Sequence, residues 1–196
     1  MAGEPKTLSP AQIMRELSRL FMREAHDRQV YCVFGPYDRL RPFQKRVQEE
    51  TASGGFNTTH GQVEYISFNK DLFGHLKAVG KYEQAGELAD RRRDQQLKAI
   101  LSDAFRDLVT TRIEAPGTLA LFLADFEILY AYELGGHDIS LARQVAINGK
   151  RICLLVPGAW RDGRLWIFDE DPESRTVFPD TLLFSGSGWV FELSGS

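Results

Sequence analysis

Cysteine is scarce in this chain: Cys32 and Cys153 are the only two among 196 residues, and each sits inside an apolar run. Two thiols cannot staple a domain of this length, which excludes a disulfide scaffold. In runs such as Val30-Tyr31-Cys32-Val33-Phe34 and Ile152-Cys153-Leu154-Leu155 they behave as small buried hydrophobes, and a bridge between them requires the two runs to be neighbours. Charge of one sign is also lacking. Lys and Arg number 24 against 27 Asp and Glu, a net charge of -3, so no global field draws the chain to DNA, RNA or anionic lipid. Any nucleic-acid contact is expected to be indirect or weak. The opening Met-Ala-Gly-Glu-Pro-Lys has neither the basic nor the apolar stretch of a signal peptide. No run approaches the roughly 20 apolar residues that span a bilayer. The expected location is the cytoplasm, with no membrane partner.

Several chemical signatures are missing as well. The turn after the first apolar strand reads Gly35-Pro36-Tyr37-Asp38, without the several glycines and Lys-Ser or Lys-Thr of a phosphate-cradling loop. The four histidines, His26, His60, His75 and His137, are scattered and never fall at metal-ligand spacing with each other or with a cysteine. There is no Gly-x-Ser-x-Gly elbow, and neither cysteine has a basic setting. Neither a metal nor a cofactor is expected.

What is present is an ordinary globular composition, 43% hydrophobic and 26% charged, enough to bury a core as one domain over 1–196. Residues 1–8 are polar and expected to be flexible. Ser9-Pro10 starts a helix carrying Ile13, Leu17, Leu20 and Phe21 at helical spacing. Apolar runs at 29–34, 63–68, 118–123 and 151–156 read as buried strands, the first stopped by Gly35-Pro36 and the last by Pro157-Gly158. Helical patterns separate them: Leu40 to Glu50, then Leu72 to Val79, then a long charged stretch from Tyr82 to Ile113, then Ser140 to Ile147 ending at Asn148-Gly149. This alternation predicts an α/β fold: a mainly parallel sheet of about four to five strands with helices on both faces. The region 160–196 is rich in aromatics and turn residues, which predicts a short C-terminal β hairpin or edge.

Ligands of such sheets meet the carboxyl ends of the strands. Asp38, Asp71, Asp125 and Glu127 fall there. Convergent carboxylates hold magnesium in nucleases and nucleotide-handling enzymes, and Asp38, Asp125 and Glu127 are the candidates for that reading. The commoner use of Asp after a buried strand is to cap the next helix or satisfy loop amides, and the Glu-x-Lys of nucleases is not visible. Arg91-Arg92-Arg93 is balanced by Glu83, Glu87, Asp90 and Asp94, as on a solvated helix face. Trp160, Trp166 and Trp189 serve either as core or as anchors of a partner surface.

Taken in order, the segments from Val30 to Phe168 resemble the BrxB-type proteins of bacteriophage-exclusion (BREX) defence systems. The similarity lies in Val33-Phe34-Gly35-Pro36-Tyr37-Asp38 and in the strand leading into Asp71-Leu72-Phe73-Gly74-His75-Leu76. It continues in Leu121-Phe122-Leu123-Ala124-Asp125 followed by Gly136-His137-Asp138-Ile139-Ser140-Leu141, and in Ile152 to Trp160, Asp162-Gly163 and Leu165-Trp166-Ile167-Phe168. The chain departs from the pattern at Asp125-Phe126-Glu127, where the family tends to glycine, and in the tail beyond Val177. The resemblance implies a non-catalytic assembly subunit of an anti-phage complex. Its partners would be a PglZ-type phosphatase-like protein and the methyltransferase or ATPase components.

Overall fold

The structure is a computed structural model and describes residues 4–22, 29–91, 94–125, 127–132, 150–168, 176–178 and 190–195. The helix expected at 140–147, His26, His137 and Trp189 lie outside the described residues.

Eight strands and six helices follow in the order β1 (Lys6–Leu8), α1 (Pro10–Met22), β2 (Gln29–Gly35), α2 (Tyr37–Ala52), β3 (Gln62–Ser67), α3 (Phe68–Ala78), α4 (Tyr82–Asp90), α5 (Asp94–Glu114), β4 (Thr118–Ala124), α6 (Glu127–Ala131), β5 (Arg151–Arg161), β6 (Arg164–Ile167), β7 (Thr176–Val177) and β8 (Val190–Leu193), among the described residues. The main sheet runs β1-β8-β2-β5-β4-β3, and every pairing along that path is parallel. The expected short C-terminal strand near the sheet edge is present. β8 lies one place in from the edge, parallel to β2 on one side and β1 on the other.

Alternation along β2 explains why its whole run is apolar. Val30, Cys32 and Phe34 enter one hydrophobic cluster, Tyr31 and Val33 the other, so both faces of the strand are covered. All seven residues of β4 are buried for the same reason. The first cluster is covered by α3, α4, α5 and α6 through residues such as Leu72, Leu88, Phe105 and Leu129. The second is covered by α1 and α2 through Leu17, Phe21, Phe43 and Val47. Cys32 and Cys153 lie on neighbouring strands but in opposite clusters. Tyr31, not Cys32, is the register partner of Cys153, and both thiols are free.

Local chemistry accounts for the element ends. Ser9 and Gln12 form a capping box at α1: the Gln12 amide donates to Ser9 Oγ at 3.4 Å, and the Ser9 amide donates to Gln12 Oε1 at 2.9 Å. At the other end, buried Arg151 donates to the Phe21 carbonyl at 3.1 Å and so ties the last turn of α1 to the start of β5. Burial lowers the pKa of that guanidinium, and Tyr31 beside it partly offsets the effect.

Three expectations need correction. Residues 6–8, expected within a flexible N-terminus, form β1, because β8 offers them a ladder and Leu8 packs against the second cluster. Pro157-Gly158 does not end β5; the strand continues to Arg161, since beyond Pro157 it pairs with β6 instead of β2. The stretch from Tyr82 to Ile113 is two helices, with α4 ending at Asp90 and α5 starting at Asp94.

Candidate functional site

Two places stand out, both at the carboxyl ends of the parallel strands. The first is a crevice of about 680 Å³ between α2 and the ends of β3 and β4. It opens where the chain divides: α2 leaves β2 toward one face of the sheet, whereas α3 and α6 leave β3 and β4 toward the other. Such a division is where open α/β sheets hold ligands.

Of the carboxylates singled out from the sequence, the structure brings Asp125 and Glu127 together on this crevice. Asp38 is exposed in the first turn of α2 and does not line it. Asp125 has φ of 55°, a left-handed conformation that Asp tolerates better than most residues. Its carboxylate accepts from Ser67 Oγ at 2.6 Å, and its carbonyl accepts the Asn69 amide at 3.0 Å. Glu127 accepts from Asn69 Nδ2 at 3.1 Å and from the Tyr37 hydroxyl at 3.3 Å. Asp71 accepts the Ser67 amide at 2.9 Å. These carboxylates therefore tie the loops after β2, β3 and β4 to one another, the use that strand-end acids most often have. Tyr65 lies among them, and burial first, then the negative charges of Asp125, Asp71 and Glu127, hold its phenol well above the ordinary tyrosine range. Among the described residues no three His, Cys, Asp or Glu side chains gather as a metal-ligating group.

Tyr37, Asn69 and Lys70 of the lining also fall at strand ends, whereas Arg41, Gln44 and Lys45, from α2, were not singled out from the sequence. Gln44 carried a signal: it sits four residues after Leu40 on the stripe with Phe43 and Val47, where a core-facing helix should be apolar.

The second place is a ribbon. Beyond Pro157, β5 leaves its parallel neighbours and pairs antiparallel with β6, which pairs with β7. Asp162 and Gly163 turn the hairpin with φ of 52° and 71°, the two left-handed residues of a type I′ turn. The two tryptophans take opposite faces. Trp160 is paired with buried Leu165 and packs on the core beside Phe34, ring centroids 6.4 Å apart. Trp166 is half-buried and shares the other face with Ala159 and Val177, both also half-buried.

No family model, curated protein or solved structure matches the chain.

Proposed function

We propose that the protein is a non-catalytic assembly subunit of a multiprotein prokaryotic anti-phage defence complex, as its similarity to BrxB-type proteins implies. The observation that supports an assembly role is the ribbon. It extends β5 past the sheet and holds Trp166 half-buried on the face turned away from the core-packed Trp160. A tryptophan on the middle strand of a three-stranded ribbon is stiffly held, and tryptophan is among the side chains from which binding anchors are most often made. The proposed partner is the PglZ-type phosphatase-like protein, with nucleic acid contacted only indirectly and no membrane involved. Among the described residues no helix is long and apolar enough to cross a membrane. The alternative, a metal-dependent nuclease or nucleotide-handling enzyme using Asp38, Asp125 and Glu127, takes second place, because Asp38 does not line the crevice and the other two carboxylates already serve as acceptors between loops.

Co-expression with the PglZ-type partner tests this reading. Trp166→Ala should keep its melting temperature and lose co-elution, since truncating an anchor costs about 2 kcal/mol of binding or more. Trp160→Ala should lower stability by about 3 kcal/mol, the lower end for a core tryptophan, because part of its ring stays accessible. Undiminished co-elution of Trp166→Ala would remove the ribbon from the interface.

A further inference from the structure

The crevice between α2 and the ends of β3 and β4 holds polar capacity that the fold itself does not use. Gln44 is only 9% exposed, lines the crevice, and makes no hydrogen bond to the described residues. Asn69 Oδ1, another lining atom, is buried with no hydrogen-bond partner among the described residues; buried polar atoms are normally paired, so here something else can supply the partner. The charges there are unequally committed. The acids are all engaged: Asp125 by the Ser67 hydroxyl, Glu127 by Asn69 and Tyr37, Asp71 by the Ser67 amide. The cations are not. Lys70 is exposed and makes no ion pair with a described residue, and Lys45 reaches only Glu49, at 3.9 Å between two largely exposed side chains. Arg41 lies over the Tyr37 ring, 5.2 Å from its centroid, which leaves its N–H fork free to meet an anion.

The start of α3 adds to this. The eleven-residue helix has no side-chain cap, because the Ser67 hydroxyl is turned to Asp125 instead. The Asn69 amide is taken by the Asp125 carbonyl and the Ser67 amide by Asp71, so Lys70 is the group that this end turns to the crevice for an anion. On the far side, Tyr37 is also a wall of an apolar cleft of about 230 Å³ lined by Pro36, Pro157 and Phe168.

From the unpaired Gln44 amide and the uncommitted cations around it, we propose that this crevice binds a small phosphorylated, hydroxyl-bearing molecule, a sugar phosphate or a nucleoside monophosphate. The phosphate lies between Lys70 and Arg41. The hydroxyl-bearing part meets Gln44 and the remaining lone pairs of Asp125 and Glu127. This binding is independent of the assembly role.

Titration calorimetry and thermal shift on the full chain test it, with ribose 5-phosphate, AMP and inorganic phosphate as probes. At least one organic probe should bind and raise the melting temperature. Lys70→Ala and Arg41→Ala should each weaken it about tenfold, the usual consequence of removing a charged hydrogen-bond partner. Gln44→Leu should also weaken it while leaving the free protein at least as stable, which a merely structural glutamine would not do. Arg46→Ala, exposed on α2 and outside the crevice, should bind as wild type. Tighter binding of AMP than of ribose 5-phosphate assigns the base to the apolar cleft; equal binding of the two assigns the ligand to the sugar phosphates. Absence of binding by both organic probes, or identical affinity in wild type, Lys70→Ala, Arg41→Ala and Gln44→Leu, overturns the proposal. Equal affinity for inorganic phosphate and the organic probes overturns recognition of the hydroxyl-bearing part.

Discussion

One methyl group, added at two different glycines, should move stability in opposite directions. A Cβ built on Gly158 would stand 2.2 Å from the carbonyl oxygen of Trp166 and 3.1 Å from the Cα of Ile167. Both are backbone atoms of β6, so no rotamer change relieves the clash; β5 and β6 must separate. Overpacking costs about 1–3 kcal/mol in general, and an immovable backbone obstacle puts Gly158→Ala at about 3. For a chain of this size that is a fall of about 6–12 °C in melting temperature. Gly74, exposed in α3, has nothing within 4 Å of its hypothetical Cβ. There the methyl group only restricts the unfolded chain and favours helix, so Gly74→Ala should gain about 0.5–1 kcal/mol. Differential scanning calorimetry on the two variants, with urea titration as a check that the slope is unchanged, gives both values. A Gly158→Ala protein at least as stable as wild type would show that β5 and β6 are not as close as described. It would also remove the rigid support argued for Trp166.

Two further outcomes follow from the strand ends. Asp125→Asn should be nearly neutral in stability, because Asn also tolerates a φ of 55° and keeps an oxygen for the Ser67 hydroxyl; Asp125→Ala, which loses both, should cost about 2 kcal/mol by chemical denaturation. The raised pKa of Tyr65 means that the folded state keeps a proton the unfolded state releases above about pH 10. Stability should therefore be unaffected by this group below that pH and fall as pH rises beyond it. Phenolate absorbance of Tyr65, read as wild type minus Tyr65→Phe, should appear only as the protein unfolds, and its appearance in the folded protein would contradict the burial.

The strands with both faces covered were the most legible part of the fold. β2, β4 and the first half of β5 contain apolar runs whose residues, Val30 to Phe34, Leu119 to Ala124 and Ile152 to Val156, each enter one of the two clusters, and such runs have few alternatives. β1 left no comparable trace: Lys6-Thr7-Leu8 offers one apolar side chain and draws its order from β8. Nor does a four-residue segment such as Val190–Leu193 say which strands it will lie between, since periodicity encodes a face and not a partner. At the site, Asp125 and Glu127 were legible through the strand-end rule, while Asp38 follows the same rule and points elsewhere. The cationic side of the crevice comes from α2, folded across from a distant part of the chain, and no local pattern announces that approach. The opposite orientation of the tryptophans, in contrast, was implicit. A two-residue Asp162-Gly163 turn pairs Arg161 with Arg164, Trp160 with Leu165 and Ala159 with Trp166, which puts the indoles on different faces.

The insertion of β8 between β1 and β2 has a consequence for how the molecule is made. Among the described residues Lys6–Leu8 has no other strand partner, and the free side of β2 is not closed until Val190–Leu193 is available. A ribosome must therefore make everything from β2 to β8 before the sheet can be completed, and throughout that time β2 presents a bare, apolar, hydrogen-bonding edge. Closure joins segments more than 180 positions apart, the kind of pairing that slows folding most. Until then the edge is open to a second nascent copy or to a chaperone. Synthesis of this protein has its hazard in the interval before β8 slides into place.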